Sequence, residues 1–415
     1  ATQAEFMARK ILAAISKLSI NDTDNQHSAK ILFGENVNDK TEAYKQEFVY
    51  TDLSIEFPGY EFDHGKSSYM GEDPSEGGYA WSKPGVYYDV WVFDVASMHP
   101  HSAIALNIFG DRFTKRYKEI VDLRVAIKHG EIEKAKQMFD GALIPFLQDT
   151  TYLKDIAQAL KIVINAVYGN TSAKFNNKFK DVRNVDNIVA KRGSLFMITL
   201  KNALLEKGVE VIHCKTDSIK VPSPSEEIKQ FIYDFGKKYG YDFEVENVYE
   251  KMCIINKSDY IAKYAEPHID KETGKEIWWS ATGAQFGEPY VFKTLFSKEE
   301  IDFYDVCETK EAKTALYLNF NENKEAEPTF IGKVGLFTPV KPGVGGAELL
   351  REGKAKDGSI KYDSVQKTKG YRWVESETID KKRYKNMVDL SYYASHVDSM
   401  KEELAKYCDV EEFIA

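Results

Sequence analysis

The stretch VEVIHCKTDSIKV, residues 209–221, sets two strand-forming runs on either side of a tight polar turn near Lys215 and Thr216. A connection that short commits the two runs to an antiparallel pair. A second strand-forming run, Val90, Trp91, Val92 and Phe93, closes on a bare carboxylate, Asp94, with Ser97 and Pro100 after it. Either aspartate alone reads as an ordinary turn residue. One at a strand end and one just past a hairpin turn, however, are placed to meet across neighbouring strands. With long helical patterns between these runs, the chain reads as an α+β fold with an antiparallel sheet.

The helical patterns are readable by their period. Residues 4–18 form one amphipathic helix, broken by the polar run NDTDNQ at 21–26. Residues 50–93 are rich in Gly, Pro and Tyr and read as loops and short strands. A charged helix spans about 111–139 with a break near Gly130; a second covers 151–168 and stops at Gly169; a third, 187–207, ends at Gly208. On the second, Lys154, Gln158, Lys161, Asn165 and Tyr168 share one face. Leu153, Ile156, Leu160, Val163 and Val167 form the apolar stripe beside it. The last 125 residues mix strands with helix around 379–406 and read as a separate lobe.

At 415 residues, with 43% hydrophobic and 13% aromatic side chains, the chain is long enough for about two or three domains and is not disordered. It has no apolar run long enough to cross a bilayer, so no membrane partner is expected. The start, ATQAEFMARK, has no apolar stretch behind its charges and no initiator Met, which reads as a trimmed terminus or a fragment without a signal peptide. Cys214, Cys253, Cys307 and Cys408 are too far apart for a zinc knuckle and suit a reducing cytoplasm. The net charge of −9 speaks against a uniformly basic nucleic-acid binder, yet basic residues cluster: six against three acidic in 111–128, and six against two in 354–372. Either cluster alone is equally a solvated face.

Taken in order, three pieces resemble the family B DNA polymerases. DVASMHPH (94–101) is similar to the first palm motif D-x-x-S-L-Y-P-S, keeping Asp94, Ser97 and Pro100. Lys161, Asn165, Tyr168 and Gly169 match the fingers motif K-x3-N-x2-Y-G in full, and HCKTDS (213–218) resembles the second palm motif Y-G-D-T-D-S. Upstream, SEGGYAWSKPGVYY (75–88) resembles the family's YxGG/A linker through Gly77 and Gly78, with Ser75 where Tyr is usual. The resemblance covers roughly residues 70–265. SMHP, the short spacings and KTKGYRWVESE look most like bacteriophage members, which implies a viral protein acting in the cytoplasm of a bacterial host.

The resemblance implies palm, fingers and thumb: 1–69 a linker or remnant of an upstream domain, 70–107 and 173–290 the palm, 108–172 a helical fingers pair, 291–415 a thumb-like lobe. It implies template-directed extension of a primer 3′ end from deoxynucleoside triphosphates. Two Mg²⁺ (or Mn²⁺) ions would be held by Asp94, Asp217 and the Val95 carbonyl; oxygen ligands suit these ions. Lys161, Asn165 and Tyr168, with Arg124 and Lys128 four apart on the preceding helix, would meet the nucleotide, as would Ser97, Met98 and His99. Lys215, Thr216, Gly77 and Gly78 would lie along primer–template DNA. Lys257 and Tyr260, in NKSDYIAKY, are candidates for the primer strand, although Ser258 occupies the family's lysine position.

Two departures stand out. Lys215 replaces the first aspartate of D-T-D, which leaves the metal-binding second aspartate as Asp217. His99 replaces the tyrosine beneath the sugar's 2′ position, which keeps open a primase-polymerase with relaxed sugar choice. An idle primer–template-binding subunit is the other alternative, and retention of both aspartates speaks against it. Only 66 residues separate Asp94 from Lys161 and 48 separate Tyr168 from Asp217, leaving little room for protein-priming insertions. No D-x-E occurs within residues 1–74, so the family's exonuclease is expected to be absent, removed with the missing N-terminus, or supplied by a separate chain, and a processivity chain is a further candidate partner.

Overall fold

The computed structural model describes residues 3–16, 27–34, 42–321 and 327–415, so the polar run at 21–26 lies outside the described residues. It divides into two compact units, residues 1–82 with 91–247, and residues 83–90 with 248–415. Both mix helices with antiparallel strand pairs, as the α+β reading expects. No helix among the described residues is long and apolar enough to cross a membrane.

In the first unit a short hairpin, Glu61–Asp63 with Lys66–Ser68, precedes the strands that carry the site: β1 (Ala80–Ser82), β2 (Gly85–Val95, entering from the second unit), β3 (His213–Lys215), β4 (Ser218–Pro222) and β5 (Phe243–Ile254, leaving into the second unit). Their order is β1-β3-β4-β2-β5, which makes β2 interior. Its composition agrees: Val90, Val92, Phe93 and Val95 are all buried, so both faces of the strand are covered. Full burial of side chains this size is worth about 1.5–3 kcal/mol each. The hairpin of β3 and β4 forms as expected, but with Lys215 opposite Ser218 its turn is Thr216–Asp217, one residue later than the sequence suggests. Thr216 takes the left-handed conformation there, with φ 54°.

Six helices of this unit matter to the site: α1 (Gln3–Ser16), α2 (Met98–Ala105), α3 (Asp111–Lys128), α4 (Leu153–Thr171), α5 (Ile188–Glu206) and α6 (Glu226–Lys238). The charged helix breaks where expected: α3 stops at Lys128, Gly130 has φ 74°, and a short helix resumes at Ile132. Gly169, by contrast, does not end α4. The helix runs through it to Thr171, where the Thr171 hydroxyl donates to the Tyr168 carbonyl and the Ser172 hydroxyl to that of Gly169. These side chains satisfy the last carbonyls that a glycine cap would otherwise serve. At the end of α5 Gly208 behaves as expected, φ 76°, with Val209 N–H donating back to Leu204 O.

Helices α3 and α4 pack together through Tyr117, Ile120, Leu123, Leu160 and Ile164, and the buried Tyr117 hydroxyl donates to the Ile164 carbonyl at 3.1 Å. Helix α1 packs on α4, and its Ile11, Leu12 and Ile15 belong to the same core. The apolar stripe of α4 is buried as expected, except that Leu153 is only partly covered.

The second unit continues from β5 with β6 (Tyr260–Ile269) and β7 (Glu276–Thr282), paired antiparallel. A five-stranded antiparallel sheet follows: β8 (Glu308–Asn319), β9 (Thr329–Val340), β10 (Glu348–Lys354), β11 (Ile360–Ser364) and β12 (Arg372–Glu375), in the order β11-β10-β8-β9-β12. Helix expected over 379–406 is confined to α7 (Leu390–Ala405); residues 376–386 form short 3-10 turns instead. Asp389 fixes the start of α7, its side chain accepting from Ser391 N–H.

Candidate active site

Two backbone bonds hold the end of β2 in place. Val95 N–H donates to the Asp217 carbonyl at 2.8 Å, and Ala96 N–H donates to the Asp242 carbonyl at 2.9 Å, just ahead of β5. They clamp the residue between the hairpin turn on one side and β5 on the other. The Asp94 and Asp217 carboxyls then lie within hydrogen-bonding reach of each other. Burial, followed by the Asp217 charge and that of Glu246, pushes the Asp94 carboxyl up to about 7; burial and Glu246 push Asp217 up as well.

Three charged residues of this site escape sequence reasoning. Glu244 and Glu246 are two apart on β5, on one side of the strand, and both act on Asp94. Lys220 lies on β4 with its ammonium buried beside His213 Nδ1 at 3.1 Å; burial lowers it to about 8. Its charge favours the ionised form of Asp217. The one available signal is a lysine inside the buried run SIKV.

A linker braces the turn that carries Asp217. Thr216 N–H donates to the Tyr79 carbonyl at 2.7 Å, and a Cβ on Gly78 (φ 146°) would stand 2.6 Å from Thr216 Oγ1. The segment is anchored from α5: Lys191 Nζ donates to the Ser75 carbonyl at 2.7 Å, and Lys201 Nζ to Tyr79 Oη and Glu72 Oε2, both at 2.7 Å. A Cβ on Gly77, in contrast, would meet nothing within 4 Å.

Beyond Asp94 the chain turns at Ser97 (φ 51°) into α2. Ser97 Oγ accepts from Arg124 Nη1 of α3 at 3.2 Å, while the buried Arg124 Nε has no partner among the described residues. Met98 packs into the core against Gly193, leaving its backbone for any outside contact. The His99 ring stacks on Tyr168 of α4, centroids 4.4 Å apart and planes 7° from parallel. Burial lowers the His99 imidazole, which favours its neutral form, and its Nδ1 is buried without a partner among the described residues.

The remaining residues divide. Lys161 and Asn165 are exposed on α4, and Lys161 makes no ion pair among the described residues. Lys128 does not point alongside Arg124 to a common target: its Nζ lies 3.9 Å from Glu244 Oε2, next to the His129–Glu244 pair at 3.2 Å. Lys215 ends β3, half-buried, beside the turn. Lys257 and Tyr260 belong to the second unit, in and after the turn between β5 and β6.

The donor set suits hard divalent cations. Two carboxylates face each other with two more acids close by, and their mutual repulsion, concentrated by burial, is relieved by a doubly charged ion held through oxygen. Asp94, Asp217 and the Val95 carbonyl are the residues that would hold it.

The same repulsion has a stability consequence. Between about pH 4 and 7 the folded chain holds a proton on Asp94 that the unfolded chain has lost, so stability falls as pH rises through that window. Asp94→Asn is therefore expected to raise the melting temperature without divalent cations, more at pH 8 than at pH 5. Discounted for Asp94's partial exposure, the gain at pH 8 is about 1–2 kcal/mol. A melting difference that does not change with pH would contradict this.

No family model matches the sequence. Over 223 residues the chain is 25% identical to DNA polymerase 2 of the archaeon Aeropyrum pernix, an alignment covering 47% of this chain and 28% of that protein. The family B DNA polymerase of Pyrobaculum calidifontis overlays with a TM-score of 0.43 at 16% identity, covering 92% of this chain and 52% of that one. The chain thus spans about a quarter of the curated relative and half of the solved one. Over the stretch aligned in sequence, it shares homology with a DNA polymerase.

Proposed function

We propose that this chain is the polymerase portion of a family B DNA polymerase, adding deoxynucleotides to a primer 3′ end under the direction of a template. The observation that carries the reading is the convergence of Asp94 and Asp217, from β2 and the β3–β4 turn, on one acidic point. Bound there, two Mg²⁺ or Mn²⁺ ions would supply activation of the primer hydroxyl and charge neutralisation at the triphosphate. Asp94, Asp217 and the Val95 carbonyl would hold the ions, with Glu244 and Glu246 adding to the negative field. Lys161 and Arg124 supply positive charge for the phosphates, Arg124 through the Nε–H that has no partner among the described residues. Residues 70–107 and 173–290 are assigned to the palm, and 108–172, with α3 and α4, to the fingers; the lobe from 291 would serve as the thumb. Gly77, Gly78, Lys215, Thr216, Lys257 and Tyr260 are assigned to primer–template contact. SMHP and the short intervals between motifs favour a bacteriophage type, acting in a bacterial cytoplasm.

Single-nucleotide incorporation tests the reading. With Mg²⁺ and one deoxynucleotide, a labelled primer should lengthen only when that nucleotide is complementary to the template. Extension indifferent to the template would contradict it.

The His99–Tyr168 stack bears on sugar choice. A flat ring pair at 4.4 Å leaves no room for a further atom between the rings, so His99 forms a fixed wall. His99→Ala is expected to raise incorporation of ribonucleotides relative to deoxynucleotides by about tenfold or more, an effect on the scale of one lost steric contact in a pocket. Unchanged discrimination would place the gate elsewhere. If the wild-type enzyme already uses both sugars equally, the primase-polymerase alternative gains.

Gly78 supports the reading from behind the site. Gly78→Ala would push a methyl group into Thr216 and displace the Asp217 turn. The turnover rate is expected to fall about ten- to a hundredfold, as small misplacements of reacting groups do. Melting and extension assays on this variant check it; full activity would show that the linker does not position the turn.

A further inference from the structure

The second unit carries a cluster that nucleotidyl transfer does not use. Glu288 precedes the short helix Pro289–Phe292, Glu308 opens β8, and His396 sits midway along α7; their ligand atoms all lie within 4.8 Å of one another. His396 Nδ1 is 2.8 Å from Glu288 Oε2. Glu308 is approached at Oε2 by Lys310 Nζ at 2.7 Å and by the Tyr392 hydroxyl at 3.1 Å. With a neutral imidazole, two carboxylates and one lysine leave a net charge of −1 around a half-buried point.

A second observation points the same way. Tyr393, next to Tyr392 on α7, is wholly buried, and its hydroxyl has no hydrogen-bond partner among the described residues. After burial, the Glu308 and Glu288 charges act on that hydroxyl, so it lies in the field of both carboxylates. A buried hydroxyl left unsatisfied is costly, and a water bound to an ion would offset that cost. A groove of about 530 Å³, lined in part by Glu288, His396, Gln285 and Lys367, gives a route from solvent.

We propose that Glu288, Glu308 and His396 form a binding site for a divalent transition ion of the zinc class, tying the start of β8 and the Pro289–Phe292 turn to α7. One imidazole nitrogen and two carboxylate oxygens are a donor set that Zn²⁺ accepts, with a fourth position left for water. Binding through Nδ1 would replace the His396–Glu288 hydrogen bond, with the neutral imidazole carrying its proton on Nε2. This site is built from residues apart from Asp94 and Asp217, and does not depend on the proposed polymerase reading.

The test uses the full chain, stripped with chelator and dialysed against Zn²⁺ in excess Mg²⁺, so that an oxygen-only site is filled by magnesium. The wild type should retain one zinc ion per chain; His396→Ala should lose it and Glu288→Gln should bind at least tenfold more weakly. Asp94→Ala should retain it. Zinc should also raise the melting temperature of the wild type and leave that of His396→Ala unmoved. Equal zinc retention by wild type and His396→Ala, or none by the wild type, would overturn the proposal. If His396→Ala fails to fold, Co²⁺ titration of the wild type decides: a visible d–d band displaced by Zn²⁺ supports the site, and its absence sinks it.

Discussion

Replacing Asp94 or Asp217 by alanine is expected to reduce primer extension by at least about a thousandfold, while primer–template affinity stays within about twofold. The asymmetry follows from where the two residues sit. Both are fixed by backbone bonds at one corner of the sheet, Asp94 just ahead of the Val95 and Ala96 N–H donors, and Asp217 in the turn braced by Tyr79. Alanine at either place removes a metal ligand and leaves that frame standing. It also relieves the crowding of acids around Glu244 and Glu246, so both variants should melt no lower than the wild type. Loss of extension with native melting would therefore report on chemistry alone. Extension surviving above a few per cent in either variant would refute the two-carboxylate assignment.

Lys161→Ala is expected to raise the apparent KM for the nucleotide and lower kcat together, with a combined loss of about ten- to a hundredfold in kcat/KM. A phosphate-binding cation acts on both the bound nucleotide and the transition state, which is why both constants move. Lys161 is exposed on α4 and unpaired among the described residues, so its charge is not already spent on a protein acid. Arg124→Ala should have a smaller effect, because the guanidinium is partly engaged by Ser97. Lys128→Ala should have the least, since Glu244 lies within 3.9 Å of its ammonium. Steady-state kinetics on the three variants would show this ranking. Unchanged nucleotide kinetics in all three would mean that the phosphates lie elsewhere.

The parts of the site that local pattern controls were legible in the sequence. The strand ending on Asp94 follows from four strand-formers in a row, and the hairpin from two such runs about a polar turn. The face of α4 that carries Lys161, Asn165 and Tyr168 follows from helical period. What period cannot supply is which distant strand comes alongside. Glu244 and Glu246 look like two unremarkable acids on an alternating strand until β5 is placed next to β2. The buried lysines of α5 are similar: helical period alone does not show that Lys191 and Lys201 reach across to Ser75, Glu72 and Tyr79. Gly169 failed as a stop signal because neighbouring hydroxyls took over the capping, a side-chain contribution that a glycine rule does not weigh. The helix expected before Leu390 failed where the Asp389 side chain set a later start.

The most direct measurement is primer extension by the unaltered chain. A 5′-labelled primer annealed to a longer template is incubated with Mg²⁺ and all four deoxynucleoside triphosphates, then resolved on a denaturing gel. The expected result is a ladder reaching the template end, abolished by chelator and restored by Mg²⁺ or Mn²⁺. A folded chain that binds the primer–template yet leaves the primer at its starting length with either metal would contradict the account.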